Sequence, residues 1–204
     1  MFSQYGEEKV LYNFFGSKKN GLVVDIGACD GITLSNSRHL IQNLSWRGIL
    51  VEPHPVFFES LQTLYNDNKL VELYNVGCFD ENTQVDFYIF ADGIDSCGST
   101  ISLNFKHRMI DLYGDKFQEF PIKIQTITLR ELLLNRGKVD FLSIDCEGVD
   151  MQVLKSNNWL TNRPSLICVE HSMDKKELYE FMNEIKYSYY DQTDGNTFFE
   201  DSDK

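Results

Sequence analysis

The chain has 204 residues and carries 31 Asp and Glu against 19 Lys and Arg, a formal net charge of −12. At 42% hydrophobic and 25% charged residues it has the profile of a soluble globular protein long enough to bury a sizeable core. The acid excess argues against a surface built for nucleic-acid phosphates or for docking on an anionic membrane, and no apolar run approaches the roughly 20 residues of a membrane-spanning helix.

In chain order, Val10, Leu11, Phe14 and Phe15 form an amphipathic stripe that predicts a short first helix. Leu22 to Ile26, Gly48 to Val51 and Val71 to Val76 then read as strands, and Phe141 to Ile144 and Leu166 to Val169 follow later. These are short apolar runs rich in β-branched residues, as expected of strands buried on both faces. Between them, Pro55 can open a helix carrying Phe57, Phe58, Leu61, Leu64 and Tyr65. Thr128 with Glu131, and Asp174 with Glu177, have capping-box spacing ahead of further apolar stripes. The alternation predicts an α/β fold, a doubly wound and mostly parallel sheet with helices on both faces. Val85 to Phe90 alternates like a half-exposed strand and predicts a hairpin with its neighbour after the third strand. Residues 92–120 read as an irregular insert and 200–204 as a frayed polar tail. With no repeat and no linker, residues 1–204 are expected to form a single domain.

The segment from Met1 to Glu8 lacks the basic start and apolar stretch of a signal peptide. The five cysteines (Cys29, Cys78, Cys97, Cys146 and Cys168) show no Cys-x-x-Cys pair, so neither a zinc site nor a redox motif is signalled. Scattered thiols fit a reducing compartment, and a cytoplasmic location is the expectation.

The strongest chemical signal is Val23-Val24-Asp25-Ile26-Gly27-Ala28-Cys29-Asp30-Gly31, an apolar strand running into a glycine-containing loop and then into Ser35 and Asn36. Doubly wound sheets bind nucleotide-like ligands at such a place, beyond the carboxyl ends of the strands. A dinucleotide site would read Gly-x-Gly-x-x-Gly, whereas Cys29 stands where a middle glycine belongs. Asp25 and Asp30 would repel a pyrophosphate and favour a cationic, amine-bearing ligand, a description that S-adenosylmethionine fits. Glu52, in Ile49-Leu50-Val51-Glu52-Pro53-His54-Pro55, ends the second strand, where an acid can accept both ribose hydroxyl hydrogen bonds. The plainer reading is a tight turn capped by solvated acids.

At these residues the chain resembles the FkbM family of S-adenosylmethionine-dependent methyltransferases. The similarity runs through Ser3-Gln4-Tyr5-Gly6-Glu7-Glu8, Val24 to Gly31, Ser35-Asn36, Trp46-Arg47-Gly48 and Glu52 to Pro55. It continues in Asn75-Val76-Gly77, Ser99-Thr100, Thr128-Leu129, Ser143 to Gly148 and Val169-Glu170-His171. The resemblance implies a class I methyltransferase fold, Rossmann-like, and O-methylation of a hydroxyl, often on a sugar, a polysaccharide or a related small molecule. It implies that Asp25, Gly27 and Gly31 line the methionine part of the cofactor, with Ala28, Asp30, Ser35 and Asn36 beside them. It further implies that Glu52, next to Pro53, holds the ribose and that the Gly77-Cys78 turn borders the adenine. Cys29 and Gly77-Cys78 depart from the family's commoner residues.

For a hydroxyl acceptor the protein must align nucleophile, methyl group and leaving sulfur, and must remove a proton. Two strand ends are placed for this: Asp145-Cys146-Glu147-Gly148 and Glu170-His171. If the chain stays extended, Asp145 and Glu147 share one face. His171 is the first candidate for general base, because its intrinsic pKa lies near working pH, and Asp145 is the second. Asp145 and Glu147 also count among the cofactor contacts. Asp145, Glu147, Glu170 and His171 are candidates for a divalent metal such as Mg²⁺; the plainer reading of the two former is helix capping. On the acceptor side, Gln4, Tyr5, Ser99, Thr100, Lys106 and Arg108 are candidate substrate contacts. Lys106 and Arg108 would serve an anionic acceptor, and Tyr5, Trp46 and Tyr113 could stack on a sugar. The competing readings are a nicotinamide-dependent oxidoreductase, which the missing middle glycine disfavours, and a binding module without catalysis.

Overall fold

A computed structural model describes residues 2–90, 97–118, 120–170 and 175–203. In chain order the elements are α1 (Glu7–Phe15), β1 (Leu22–Ile26), α2 (Arg38–Leu44), β2 (Arg47–Val51), α3 (Pro55–Tyr65), β3 (Val71–Tyr74), β4 (Gly77–Phe79), β5 (Gln84–Phe87), α4 (Leu103–Tyr113), β6 (Ile122–Thr128), α5 (Leu129–Leu132), β7 (Phe141–Ile144), α6 (Asp150–Lys155), β8 (Leu166–Glu170), α7 (Lys175–Glu184), β9 (Tyr187–Gln192) and β10 (Asn196–Asp201).

Seven strands form the main sheet in the order β3-β2-β1-β7-β8-β10-β9. The five from β3 to β8 are parallel, and β10 runs antiparallel to both of its neighbours. Strand side chains alternate between faces, so each central strand feeds two cores. Leu22, Val24 and Ile26 of β1 join Ile49, Leu142, Ile144, Ile167 and Val169 under a layer that includes Leu129 and Leu132 of α5, Val153 and Leu154 of α6, and Leu178 and Met182 of α7. Val23 faces the other way and packs with Leu50, Phe141, Leu166 and Cys168 against Val10 and Leu11 of α1, Leu40 and Ile41 of α2, and Leu61 of α3. The doubly wound arrangement follows from these two apolar faces. Chain order reverses at β1: β2 and β3 lie on one side of it and β7 on the other. The crevice between these diverging connections is where such sheets take ligands.

Besides the β9–β10 hairpin, which the sequence reading did not foresee, four features differ from the sequence-based expectation. The strand around residue 85 does not form a hairpin with β4; β5 pairs antiparallel with β6, which also pairs parallel with β4 in a separate three-stranded sheet. The partner strand β6 alternates from Ile122 to Thr126 and is legible as a strand, but its pairing with β5 is set across the intervening insert and not by local periodicity. Within the insert, α4 is a regular helix of 11 residues, capped by Ser102, whose Oγ accepts from the Phe105 amide at 3.2 Å. Residues 91–96 and 119 lie outside the described residues, as does Asp174 of the second expected capping box. Only half of the first box is present: Thr128 Oγ1 accepts from the Glu131 amide, but the Thr128 amide donates to Asn82 Oδ1 and not to Glu131, and the helix it opens is only four residues long.

The tail gives the fourth difference. Glu200 and Asp201 belong to β10, and Asp201 Oδ1 lies 2.5 Å from Arg163 Nη2 and 3.0 Å from Nε. Arg163 also donates to the Trp159, Ile185 and Lys186 carbonyls, so this ion pair ties the last strand to the loop before β8 and the turn before β9. Asp201→Ala is expected to cost about 1–2 kcal/mol in urea unfolding, since the paired side chains are 19% and 11% exposed and held by two donors. A frayed tail would leave the midpoint unchanged.

Candidate functional site

A cleft of about 290 Å³ opens at the carboxyl ends of β1, β2 and β7, near the lower end of the roughly 300–1,000 Å³ of small-molecule sites. Its floor begins at Gly27, where β1 ends and φ turns to +85°. A Cβ there would lie 1.9 Å from the Asp145 carbonyl oxygen, so only glycine lets the first loop pass this close to the end of β7. The Gly27 and Ala28 amides both donate to the Val51 carbonyl, at 3.0 and 3.1 Å, which ties the loop to β2 as well.

Of the expected cofactor contacts, Asp25, Gly27, Ala28, Ser35, Asn36, Glu52, Pro53, Gly77, Cys78, Asp145 and Glu147 all line this cleft. Asp30 and Gly31 do not. Asp30 caps the turn after it, accepting from the Ile32 and Thr33 amides at 2.8 and 2.7 Å and from Thr33 Oγ1 at 2.8 Å. Burial opposes its charge, but those donors outweigh it and hold the carboxyl below its usual range. Gly31 is a packing glycine: a Cβ would meet Leu61, Leu64 and Tyr65 of α3. Sequence spacing could not separate these two from the true lining residues, because all of them share one loop.

Asp25 sits on the same face of β1 as Val23 and is 4% exposed, so its charge needs a donor, which Ser37 Oγ supplies at 2.6 Å. Burial still raises its pKa, against the pull of Ser37 and Ser143. Asn36 donates to Ser143 Oγ at 3.3 Å and Ser35 Oγ accepts from the Arg38 amide at 3.2 Å, so this serine-rich loop is fixed before α2 begins. Glu52, 6% exposed, accepts from the Cys29 amide at 2.8 Å through Oε2 and from the His54 amide at 2.7 Å through Oε1. Each carboxylate oxygen has a second lone pair left for a ligand. Burial pushes Glu52 up to about 7, with the two amides opposing and Asp25 adding to it. His54 is buried against Phe57, with ring centroids 4.6 Å apart, does not line the cleft, and is held neutral by burial.

At the far wall, Asp145, Glu147 and Glu170 each bring a carboxylate oxygen within 4.8 Å of the others. The chain is not extended there, since Glu147 has φ +50° and Gly148 φ +94°. The loop is shaped instead by Asp150, 1% exposed, which accepts from the Cys146 amide at 2.8 Å and the Gly148 amide at 3.3 Å. No side chain caps α6, so neither Asp145 nor Glu147 serves as its cap; Asp150, its first residue and one the sequence reading overlooked, braces the preceding loop instead, and Glu147 is left to face the cleft. Burial first, then mutual repulsion, raises Asp145 and Glu147 well above the usual carboxylate range; Arg108 pulls Glu147 back slightly. His171 lies outside the described residues.

On the acceptor side, Gln4, Tyr5, Ser99 and Thr100 line the cleft, but Lys106 and Arg108 do not. Lys106 Nζ lies over the rings of Tyr88 and Phe117, at 4.5 and 5.5 Å, and Arg108 over Phe105. The Thr100 hydroxyl is committed to structure, donating to the Glu147 carbonyl at 2.7 Å and accepting from the Ser102 amide. Trp46 is fully buried with its indole donating to the Lys18 carbonyl, so it is core and not a sugar platform. Tyr113 is exposed away from the cleft, whereas Tyr5, 45% exposed, lines it and packs its ring against Gly195. Glu7, fully buried, holds this arrangement: it accepts from the Tyr5 amide, from Thr193 Oγ1 at 2.7 Å and from Asn196 Nδ2 at 3.0 Å. Gly195 and Asn196 were missed because the β9–β10 hairpin was missed; Asp194-Gly195 is the turn signal that could have found it.

The buried carboxylates have a consequence for stability. A folded-state pKa of about 7 for Glu52, above its usual 4.5, means the folded chain holds a proton the unfolded chain releases. That contribution is fully present below pH 4.5 and is lost as pH rises through about 7. The ligand-free protein is therefore expected to melt at lower temperature at pH 8 than at pH 6. Glu52→Gln should flatten this slope in differential scanning calorimetry.

The family model for the methyltransferase FkbM domain matches residues 25–189. A search of the curated proteins returns no match. Among solved structures the fold is similar to methyltransferase FkbM from Methylobacillus flagellatus KT, with a TM-score of 0.56 at 16% identity, covering 90% of this chain and 44% of that one. It is also similar to the METTL16 MTase domain, at TM-score 0.53 and 11% identity over 94% of this chain and 64% of that one. A third is M. capricolum TrmK in complex with S-adenosyl-homocysteine, at 0.50 and 10% over 99% and 70%. The chain thus spans less than two thirds of the first two proteins.

Proposed function

The chain belongs to the methyltransferase FkbM domain family, and from that premise we propose that it is an S-adenosylmethionine-dependent O-methyltransferase acting on a hydroxyl of a sugar, a polysaccharide precursor or a related neutral small molecule. The observation that carries this reading is the polarity of the cleft. Asp25, Glu52, Asp145, Glu147 and Glu170 line it, and among its described lining residues there is no Lys, Arg or His. Such a wall suits a ligand that brings positive charge and hydroxyl donors, and disfavours a pyrophosphate, which speaks against the nicotinamide alternative.

The donor set fits the cofactor. The free lone pairs of Glu52 would accept from ribose hydroxyls, Gly77 and Cys78 line the cleft beyond it, and Asp25 beside Gly27 suits an ammonium. When bound, the cofactor supplies a sulfonium-activated methyl group for in-line displacement. The chain's own share is alignment and the proton. Asp145 Oδ1 is buried with no hydrogen-bond partner among the described residues, so it is an acceptor in waiting for a hydroxyl proton. Its raised pKa makes it a stronger base than an ordinary carboxylate whenever it is ionised. His171, the next residue after Glu170, is the other proposed base. Tyr5, lining the cleft, offers a ring face for a sugar, and Glu7 fixes its position. The scattered free thiols favour a reducing, cytoplasmic compartment, and the two apolar cores on one shared sheet favour a single domain.

Incubation with methyl-labelled S-adenosylmethionine and a panel of neutral sugars, anionic sugars and oligonucleotides tests the reading. Label is expected in a neutral sugar or its precursor. Label confined to anionic sugars or nucleic acid would contradict it.

A further inference from the structure

The three carboxylates at the far wall invite a question of their own, since acidic clusters are common without a ligand. Asn196 gives a second, independent observation. Its side chain is 6% exposed and comes from β10, where it is the register partner of Glu170 on β8. Nδ2 donates to Glu7 Oε1 at 3.0 Å, and a carboxylate only accepts, so the amide cannot be turned over. Oδ1 is thereby left buried with no hydrogen-bond partner among the described residues, in a residue that lines the same cleft as the acids. Asp145 Oδ1 is in the same condition. Buried oxygens without donors are rare and call for an explanation. The Thr100 hydroxyl is no donor to them, since it is spent on the Glu147 carbonyl.

All four groups are oxygen acceptors, and they reach the cleft from three strand ends: the end of β7, the end of β8 and the start of β10. A donor such as a neutral hydroxyl would satisfy one of them and leave the like charges facing one another. A doubly charged ion satisfies the set. Oxygen-only coordination selects hard cations over zinc or copper, which favour nitrogen and sulfur. We propose that Asp145, Glu147 and Glu170, together with the side-chain carbonyl of Asn196, form a binding site for a divalent cation of the Mg²⁺, Ca²⁺ and Mn²⁺ class at the acceptor side of the cleft. The site stands on these residues alone; its use in activating a hydroxyl rests on the methyl-transfer reading.

The test is a titration of the EDTA-treated, dialysed full chain with Mn²⁺. Free Mn²⁺ is followed by electron paramagnetic resonance, with Mg²⁺ and Ca²⁺ as competitors, and the titration is repeated with saturating S-adenosylhomocysteine. One Mn²⁺ per chain is expected, displaced by Mg²⁺ or Ca²⁺ and retained when S-adenosylhomocysteine is present. Changes in the outer shell alone cost roughly 10–100-fold in metal affinity, so loss of a ligand in Glu170→Gln should weaken Mn²⁺ by at least about tenfold. Glu170→Gln removes a like charge and should stay folded, and the native titration decides the matter even if it does not. The proposal is overturned if native protein takes up no Mn²⁺ at millimolar concentration, or if Glu170→Gln binds it undiminished. It is equally overturned if S-adenosylhomocysteine displaces Mn²⁺ competitively, which would assign the acids to the ligand's ammonium. A thermal shift with S-adenosylhomocysteine on the same sample reports separately on the cofactor reading, so either can fail alone.

Discussion

Gly27→Ala is expected to be the most damaging single methyl that can be added to this chain. At φ +85° an L-residue already pays about 1–2 kcal/mol. The added carbon would then sit 1.9 Å from the Asp145 carbonyl oxygen, and neither backbone is free to yield. Gly27 N is bonded to Val51 O, and Asp145 N to Ile26 O at 3.0 Å, so β1, β2 and β7 are stitched together at this point. Relief requires opening the sheet at its topological switch, and a loss above about 4 kcal/mol is expected. Gly114→Ala is the matched control: φ is +79°, yet nothing lies within 4 Å of its Cβ, so it should cost about 1–2 kcal/mol only. Urea unfolding of both variants checks this. Equal losses would mean that backbone strain, and not the contact with β7, sets the requirement for glycine.

Glu52→Ala is expected to abolish useful affinity for S-adenosylhomocysteine. If Glu52 accepts both ribose hydroxyls, two charge-assisted bonds of about 1.5–3 kcal/mol each disappear, which is roughly 100- to 10,000-fold in Kd. Glu52→Gln keeps one acceptor oxygen and should fall between. The native affinity should also rise with pH across the value near 7 at which Glu52 ionises, since only the carboxylate accepts from both hydroxyls. Calorimetric titration at pH 6 and pH 8 measures both effects. An Ala variant that binds as well as native protein would remove Glu52 from the site.

Much of this architecture is legible without coordinates. The buried parallel strands announce themselves as β-branched apolar runs, and β1 and β7 begin and end where that pattern does. The first loop and Glu52 are legible because a glycine-containing turn after one apolar strand and an acid ending the next mark the crevice at the carboxyl ends of a doubly wound sheet. What stays hidden has physical reasons. The pairing of β5 with β6 is decided across 30 and more intervening residues, beyond the reach of any local period. Asp30 and Asp25 look alike in sequence, yet one caps a turn and the other faces the cleft, because strand pleat and loop geometry separate them. Glu147 reaches the acidic wall through a left-handed backbone fixed by Asp150, not through the strand alternation that spacing suggests. Lys106 reads as a free cation, but two aromatic rings already claim it. The acidity that excludes nucleic acid at the level of composition is in part a local feature, five carboxylates on one cleft.

The central claim is that this cleft takes a cationic adenosyl ligand and not a phosphate-bearing dinucleotide. Isothermal titration calorimetry of the full chain with S-adenosylhomocysteine and, separately, with NAD tests it most directly. One S-adenosylhomocysteine bound per chain, lost in Glu52→Ala, with no heat from NAD, is the predicted result. Binding of NAD, or saturation by neither ligand, would contradict it.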